Sequence, residues 1–547
     1  MGFLANILAA LAVATVIELD ARDGFGLVGG LLAFGGLLPA PHLLARAARR
    51  LAIAGRWRAS QRIALALDWI APLAFAGVLL AGWREAAARL PGTSVLDWPG
   101  PGLFVLLAPY LAFELLAIDA KARMVTAAAH SRRGYSRFLG RQFGAALVPL
   151  AGYLLLSGGV GAVAPLRIRL EEVSLYASLY AGAILLAFAS ALPWILSKVW
   201  DTKPLDAGPM RDFLVDLARR VDFRFRDVLL WRTGGSLSNA AVVGFTPGQR
   251  VVLLSDALLR DLDWRQLAAV FGHEMGHSVR RHALLFTTWT LLLFLTFDSA
   301  VHAFEPASET VLNLLLVAVA ALWYFGFGYL SRRAELDADL FALDVTRDAA
   351  DLVEALERVG GGRRRWSRGW RHFSVAQRIL FLRAVASDPD VGGRLRRELD
   401  RAARAGGVAL VLVAAAWAHQ QWSRLDGERA WVRLRLGDYP GAVALLETGE
   451  ERGAEALRLA RRGLEAADAE GQAPTADALL SGARATALEG EWQAARDLAV
   501  LAALRDNVDA RSVARWLDAI VDDAPDAPEL AGALPPGWAP VLERARQ

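Results

Sequence analysis

The chain has 547 residues, a formal net charge of +4 and no cysteine. This length exceeds one ordinary core, so several structural units are expected. Hydrophobic residues make up 55% of the chain, which is typical of a protein that lies partly in a membrane and partly in water. The small net charge gives no support for nucleic-acid binding. The absence of cysteine excludes disulfides, thiolate metal sites and cysteine nucleophiles.

Eight segments have the apolar character of membrane spans, which take about 20 residues each. They are residues 3–19, 24–45, 63–82, 102–118, 142–164, 176–198, 283–303 and 310–330. The first lacks a basic leader and more spans follow it, so we interpret it as a retained helix and not a signal peptide.

The loops after the second and fourth spans, residues 46–62 and 119–141, each carry six Lys or Arg residues. Basic residues accumulate on the cytoplasmic side of a membrane. The alternation therefore predicts an inside N-terminus, with residues 199–282 and everything after Ser331 in the cytoplasm.

Some acidic residues lie within these spans, notably Asp68, Glu114 and Asp298. An ionisable group in hydrocarbon is costly and indicates a polar cavity or a partner. The alternative is a helix end near the membrane interface. Both interpretations stay open for Asp68 and Glu114.

The C-terminal region differs in composition. The apolar run 406–418 has a length that favours a buried helix over a span; if it crossed the membrane, the region after it would lie outside. Residues 421–547 are polar and helical in period. Two similar stretches, residues 436–442 and 489–495, predict turns between paired helices of weak tetratricopeptide-like character. This tail is either a docking surface for a protein partner or a packing appendage.

The most specific motif is FGHEMGH at residues 271–277, within a helical stretch that begins near Trp264. Residues four apart share a helix face, so His273 and His277 can bind one ion. Zinc accepts imidazole nitrogens, and a catalytic zinc site keeps one position open. Glu274 can take a proton from the attacking water and later deliver it to the leaving amine.

A third ligand is needed to complete such a site. His282 follows His277 by five residues, which does not match the metzincin spacing. We therefore interpret His282 as the cytoplasmic end of the seventh span. The better candidate comes after the eighth span, where Glu335 and Asp339 share a helix face. One carboxylate can bind zinc while the other orients a ligand histidine.

The order HEMGH, two spans and SRRAELDAD resembles the membrane metalloproteases of the CAAX prenyl protease type 1 and HtpX group. The resemblance covers roughly residues 200–385 and implies that His273, His277 and Glu335 bind Zn²⁺. It also implies that Arg332 and Asp339 support these ligands, and that Asn239 and Ala240 lie on an edge strand that pairs with substrate backbone.

The stretch His372-Phe373-Ser374 with Arg378 resembles the family's H-P-x-x-x-x-R-I segment, although Phe373 replaces proline. Carried over, His372 would bind the substrate carbonyl or the developing oxyanion, and Arg378 would brace the site electrostatically.

These observations predict a mainly α, polytopic membrane protein with a small α+β zinc-peptidase unit and a helical-hairpin tail. The expected divisions are residues 1–198 (N-terminal spans), 199–282 and 331–400 (two halves of the peptidase), 283–330 (a transmembrane hairpin) and 401–547 (a cytoplasmic tail).

The predicted function is that of a zinc-dependent endopeptidase acting on protein or peptide substrates at the lipid bilayer, in a bacterial inner membrane, with its active site facing the cytoplasm. Membrane-protein turnover is favoured over processing of prenylated C-termini because the cysteine-free, Ala/Arg-rich composition is typical of bacteria. An inactive adaptor is the alternative from another class, and the intact Glu274 argues against it. A sensor-receptor of the antibiotic-responsive type would need an extracellular domain, for which the outer loops are too short.

Overall fold

The computed structural model describes most of the chain. The described residues are 3, 6–7, 9–11, 26–88, 101–124, 132–304, 309–360, 369–447, 454–467, 473–505, 507–522, 524 and 527–545. Most of the predicted first span, residues 3–19, lies outside them.

The described residues are predominantly helical, as predicted. The helices of the first part are α1 (Gly26–Leu37), α2 (Ala40–Ile53), α3 (Trp57–Ala66), α4 (Ile70–Leu80), α5 (Trp83–Ala88), α6 (Pro101–Met124), α7 (Arg132–Gly161), α8 (Ala164–Glu172) and α9 (Ser174–Val199). Those of the middle part are α10 (Pro209–Arg220), α11 (Asp256–Asp261), α12 (Trp264–Val279), α13 (His282–Phe304), α14 (Glu309–Thr346), α15 (Ala349–Gly360), α16 (Val375–Ser387) and α17 (Asp390–Leu436).

Seven helical stretches of the described chain are long and apolar enough to cross a membrane. They are Val28–Ile53, Leu103–Met124, Arg132–Gly161, Ser174–Val199, His282–Ala303, Thr310–Thr346 and Asp390–Leu436. An eighth is formed by α3 and α4 if this pair, bent by 52°, counts as one span. The chain is a multi-pass membrane protein, and these stretches overlap seven of the eight predicted spans.

The stretch Asp390–Leu436 was not among the predicted spans. The run 406–418, for which the sequence favoured a short buried helix, is instead the middle of the 47-residue helix α17. Three of its apolar side chains are exposed, with Val408 at 62%, Val411 at 68% and Leu412 at 65%. The run alone is short, but uncharged residues on both sides extend it to a stretch long enough to span a membrane.

All three of the acids named above have a polar partner, and for Asp298 the Oδ2 lies 3.6 Å from the His302 Nδ1. The buried Glu114 carboxylate accepts a hydrogen bond from the Asn6 Nδ2 at 3.3 Å. Asp68 lies at the break between α3 and α4 and pairs with Lys121 at 2.9 Å. The polar-partner interpretation therefore applies to Glu114, and the helix-end interpretation also fits Asp68.

A small four-stranded sheet follows α9. Its strands are β1 (Thr202–Pro204), β2 (Asp227–Trp231), β3 (Ala240–Val243) and β4 (Val251–Ser255). The spatial order is β1-β2-β4-β3, with β2 parallel to β4 and the outer pairs antiparallel. Strand β4 is buried along its whole length because it has a strand on each side. Strand β3 is an edge strand of this sheet.

The sheet packs on α10 and α12 through a common apolar core. Leu214 of α10, Val252 and Leu254 of β4, and Leu267 and Phe271 of α12 are all buried in it. Burial of each of these five apolar side chains contributes roughly 1.5–3 kcal/mol to the stability of the folded state. This core holds the start of α12 against the sheet and so places the residues that follow Phe271.

The contacts divide the chain into two compact units, residues 1–159 with 184–415 and residues 160–183 with 416–547. The second unit contains the tail helices α18 (Tyr439–Leu446), α19 (Ala454–Glu465), α20 (Ala476–Leu488), α21 (Trp492–Leu504), α22 (Val508–Val521), α23 (Ala527–Leu530) and α24 (Ala539–Ala545). The two predicted turns occur at Gly437 and Gly490, which end α17 and α20 with φ of 78° and 89°, a conformation that favours glycine. Binding of a protein partner by the tail stays a prediction.

Candidate active site

Helix α12 starts at Trp264, where the sequence predicted it, because Asp263 caps it. The Asp263 side chain accepts hydrogen bonds from the backbone N–H of Arg265 and Gln266, and Gln266 completes a capping box. Such a cap satisfies N–H groups that have no partner within the helix. The helix runs to Val279, so His273 and His277 lie one turn apart on one face.

Two glycines let α14 approach the motif helix closely. A Cβ added at Gly272 would lie 3.2 Å from the Ala342 Cα, and one added at Gly276 would lie 3.1 Å from the Ala338 Cα. The small residues on both helices therefore form the contact between them. This close approach brings Glu335, which lies one turn before Ala338, up to the two histidines.

The three candidate metal ligands meet at one point. The His273 Nε2 lies 3.7 Å and the His277 Nε2 3.6 Å from the oxygens of Glu335, and one atom from each residue lies within 4.8 Å of the others. Two ligands of one tetrahedral zinc ion at about 2.1 Å stand about 3.4 Å apart. The donor set, two imidazole nitrogens and a carboxylate, and its spacing fit a zinc ion.

Electrostatics keeps His277 and Glu335 in the protonation states that bind a cation, whereas for His273 the effect of burial, which lowers the pKa, is outweighed by the Asp339 carboxylate, which raises it. Burial lowers the pKa of His277 to about 3, so its imidazole is neutral. Burial by itself would raise the pKa of Glu335, but the hydrogen bond from His372 and the charges of His273 and Arg378 lower it well below its usual range. Glu335 is therefore ionised at neutral pH.

His273 is held from behind by a carboxylate. Its Nδ1 lies 2.9 Å from the Asp339 Oδ1, which leaves Nε2 for the metal. Asp339 is fully buried and accepts hydrogen bonds from the Arg378 guanidinium, one of them from Nε at 2.8 Å. Asp339 thus stands where an orienting partner of a ligand histidine is expected.

His277 has a different partner. Its Nδ1 lies 3.0 Å from the Nδ1 of His282, and the His282 Nε2 lies 3.1 Å from the Asp337 Oδ2. His282 is the first residue of the span helix α13, as its interpretation as a span end implied. Its contact with a ligand was missed because five-residue spacing across a helix break carries no periodic signal.

Glu274 lies between the metal-ligand cluster and the sheet edge. Burial raises the pKa of its carboxyl group to about 7, and a hydrogen bond from the backbone of Val242 opposes that rise. A carboxylate with a pKa near neutrality suits a general base that later acts as an acid.

The Glu274 contact also identifies the free edge of β3. The Ser255 N–H donates to the Asn239 carbonyl at 3.0 Å, and in an antiparallel pair the residues that bond to the partner alternate. Ala241 and Val243 then bond to β4, whereas the N–H and C=O of Ala240 and Val242 face outward. Of the two predicted substrate contacts, Ala240 presents its backbone N–H and C=O at the open edge. Asn239 does not present its N–H there, because that group donates to the Ser255 Oγ at 2.9 Å. Val242 was not identified from the sequence.

The segment before α16 brings two further predicted residues to the site. The His372 Nδ1 lies 3.1 Å from the Glu335 Oε1, with the His372 side chain 48% exposed. Arg378 contacts both Asp339 and the His273 Nδ1, the latter at 3.3 Å. Both therefore lie at the cluster.

Arg332, which was predicted to support the ligands, has contacts with the segment before α16. Its Nη1 donates to the Trp370 carbonyl at 2.8 Å, and its guanidinium lies 6.0 Å from the Phe373 ring. Arg332 therefore contacts the segment that carries His372. Phe373, which replaces the family's proline, supplies the aromatic face for this contact.

The candidate metal ligands border a cavity of about 930 Å³. Its walls include the β3 edge, both histidines, Glu274, Glu335 and His372. Span residues also contribute, among them Leu192 of α9 and Phe286 of α13. The cavity therefore joins the polar cluster to apolar surface from the membrane helices.

Residues 204–402 match the model of peptidase family M48. This segment holds strands β2, β3 and β4, the motif helix and every residue of the cluster described above. The predicted resemblance to the CAAX prenyl protease type 1 and HtpX group is confirmed by the curated relatives that the chain matches.

Three of these relatives illustrate the range. A probable CAAX prenyl protease 1 from Schizosaccharomyces pombe is 27% identical over 197 residues, which cover 32% of this chain and 41% of the relative. A CAAX prenyl protease 1 homologue from Arabidopsis thaliana is 24% identical over 52% of this chain and 72% of its own. A protease HtpX homologue from Streptomyces coelicolor is 28% identical over 28% of this chain and 56% of its own.

Among solved structures, the chain is similar to the crystal structure of S. mikatae Ste24p. The two are 15% identical, the match covers 66% of this chain and 99% of that one, and the TM-score is 0.41. The match to the first curated relative spans less than half of that relative's length.

Proposed function

We propose that this protein is an integral-membrane zinc endopeptidase. The observation that carries the proposal is the meeting of His273, His277 and Glu335 at one point, with Glu274 between that point and an open strand edge. Each named relative is a protease by its description. The reaction is hydrolysis of a peptide bond by water, which yields a carboxylate and an amine.

Zinc bound by these three ligands would polarise the scissile carbonyl and make water more acidic. The protein's own residues do the rest. Substrate backbone pairs with Ala240 and Val242 on the open edge of β3, which lays an extended peptide across the cavity. Glu274 takes a proton from the attacking water and gives it to the leaving nitrogen.

His372 and Arg378 act on the negative charge that develops during the reaction. His372 is half exposed to the cavity beside Glu335, so it can donate a hydrogen bond to the carbonyl oxygen of a bound peptide. Arg378 is held by Asp339 and contributes a fixed positive charge. An oxyanion donor of this kind contributes about 3–4 kcal/mol of barrier lowering.

The favoured substrate class is membrane proteins undergoing turnover in a bacterial inner membrane. The apolar wall from Leu192 and Phe286 suits polypeptide segments that leave a bilayer. Processing of prenylated C-terminal peptides is the alternative, and the names of the fungal and plant relatives favour it.

Glu274→Gln and Glu335→Ala separate the two parts of the proposal. Glu274→Gln is expected to keep one zinc per chain and to lose casein cleavage, since the base is gone while the ligands remain. Glu335→Ala is expected to lose the metal. Zinc content by mass spectrometry and cleavage of a labelled casein measure both. Wild-type cleavage by Glu274→Gln, or full zinc in Glu335→Ala, would overturn the assignment.

We propose that the active site faces the cytoplasm, as loop charge predicts, and that α17 crosses the membrane. No Asp, Glu, Lys or Arg occurs between Arg404 and Arg424. These 19 helical residues, 405–423, extend over about 28 Å at 1.5 Å each, close to the hydrocarbon thickness of about 30 Å. Their exposed valines and leucine suit a lipid environment.

A second observation supports this crossing. The end of α17 packs against the connection between spans α7 and α9, which lies outside by the loop-charge assignment. The Ser174 Oγ donates to the Gln421 Oε1 at 2.6 Å, and the Arg435 Nη1 pairs with Glu172 at 2.7 Å. Residues 424–547 then lie on the extracytoplasmic face, in place of the cytoplasmic location expected from the sequence.

Reporter fusions test this topology. Alkaline phosphatase fused after residue 447 is expected to be active and green fluorescent protein at the same site dark, with the opposite result after residue 388. Fluorescence from the fusion after residue 447 would return the tail to the cytoplasm.

A further inference from the structure

We infer that His282 and Asp337 are positioning residues that fix the ring orientation and tautomer of the ligand His277; this inference rests on the proposed metal site. The chain of contacts is short and buried. His277 Nδ1 lies 3.0 Å from His282 Nδ1, and His282 Nε2 lies 3.1 Å from Asp337 Oδ2. His282 and Asp337 are only 3% and 1% exposed.

The proton arrangement follows from the carboxylate. Both oxygens of Asp337 accept hydrogen bonds from arginine, Oδ2 from the Arg280 Nε at 2.8 Å and Oδ1 from the Arg396 Nε at 3.3 Å, so the carboxylate faces His282 as an acceptor. The His282 Nε2 must then carry the hydrogen that faces it. A neutral His282 consequently has a bare Nδ1, which accepts a hydrogen bond.

That bare nitrogen determines the state of the ligand. Because the His277 Nδ1 faces it, the hydrogen of neutral His277 lies on Nδ1 and its Nε2 is bare. The Nε2 is the atom that points to Glu335, at 3.6 Å. With the opposite tautomer of His282, two N–H groups would face each other or His277 would carry its hydrogen on the metal side. Asp337 therefore controls, through His282, whether His277 can bind a cation.

The two ligand histidines thus have different supports. His273 has the direct carboxylate Asp339, which Arg378 holds. His277 contacts the His282 imidazole, which in turn contacts Asp337. Arg280 and Arg396 hold the Asp337 carboxylate. Loss of an outer partner of a metal ligand typically weakens metal binding by about 10–100-fold.

Zinc affinity of the full-length protein in detergent, measured by competition with a chromophoric chelator, tests the inference. His282→Phe keeps a ring but removes the acceptor and is expected to bind zinc about 10–100-fold more weakly. His282→Asn places an amide oxygen where Nδ1 stands and is expected to recover most of that affinity. Asp337→Asn is expected to weaken binding, because an amide no longer requires a hydrogen on His282 Nε2.

His302→Phe is the matched control, since His302 lies on the same helix beside Asp298 and away from the cluster. It should bind zinc like the wild type. The absorption spectrum of bound Co²⁺ adds a readout of ligand geometry and is expected to change in His282→Phe and to revert in His282→Asn.

The outcomes separate the two claims. If wild type binds no zinc, the proposed metal site itself is wrong. If wild type binds zinc and His282→Phe equals it, or His282→Asn is no better than His282→Phe, the positioning role is wrong. The melting temperatures of the metal-free proteins reveal a fold defect. If His282→Phe and His282→Asn share a large loss of melting temperature and bind zinc with equal affinity, the inference is also overturned.

Discussion

The candidate site has two halves that differ in how firmly they are held. The half made by α12 and α14 is buried, with His273 at 8%, Glu335 at 7% and Asp339 at 0% exposure, and its helices touch through glycine and alanine. The other half is the short segment before α16, where His372 is about half exposed. Metal ligands need a fixed geometry, whereas a group that meets the substrate must be open to it. The difference agrees with our proposal that the first half binds the metal and the second half acts on the peptide.

The largest expected effect tests that division at His372. His372→Phe is expected to lower kcat by about 10²–10³-fold, because an oxyanion donor is lost, while zinc content stays at the wild-type level. Steady-state kinetics on a fluorogenic peptide and metal analysis measure the two quantities. Loss of zinc together with activity would mean that the two halves are not separate.

The pH dependence sharpens the part played by Glu274. Its pKa is raised to about 7 by burial, and the base must be ionised to accept a proton. Activity is therefore expected to fall about tenfold per pH unit below its pKa, with the midpoint at or below pH 7 because a bound cation lowers it. The profile of kcat/KM from pH 5 to 8 measures this.

Zinc content over the same pH range is the control, because loss of metal would produce a similar acid limb. The activity profile is read over the pH range in which the zinc content stays constant. A flat activity profile at constant zinc would contradict the role of Glu274.

A smaller effect is expected at the contact between the two helices. Gly276→Ala places a Cβ 3.1 Å from the Ala338 Cα and is expected to lower the free energy of unfolding by about 1–3 kcal/mol through overpacking. Gly427→Ala, where a Cβ meets nothing within 4 Å, is the matched control and should stabilise its helix by about 0.5–1 kcal/mol. Thermal melting of both variants shows the contrast; equal shifts would mean that the helix contact tolerates the methyl group.

The smallest effect is expected at the strand edge. Ala240→Pro removes an outward-facing N–H and is expected to raise KM about 2–10-fold, the effect of one hydrogen bond, with little change in kcat. Ala241→Pro is the matched contrast, because its N–H bonds to β4 and its loss should unfold the sheet. Similar stability of the two variants would show that the assignment of the open edge is wrong.

Much of this arrangement is readable from local sequence. Apolar runs of 18 or more residues predict spans directly, and seven of the eight predicted spans overlap candidate spans of the structure. The helix that carries His273 and His277 has a capping residue and regular period, so its start and its face were predictable. Glu335 and Asp339 share a helix face, but only the resemblance singled out Glu335 as the third ligand, because acids four residues apart also occur on ordinary charged helices.

What the sequence by itself determined is therefore local: where helices run, which residues share a face, and that His273 and His277 point the same way. The tertiary structure decided which distant groups meet. His282 contacts His277 across a helix break, Val242 faces Glu274 from an edge strand, and α17 joins an apolar run to residues that pack on the connection after α7. Such contacts depend on the path of the chain in three dimensions, and no residue period records that path.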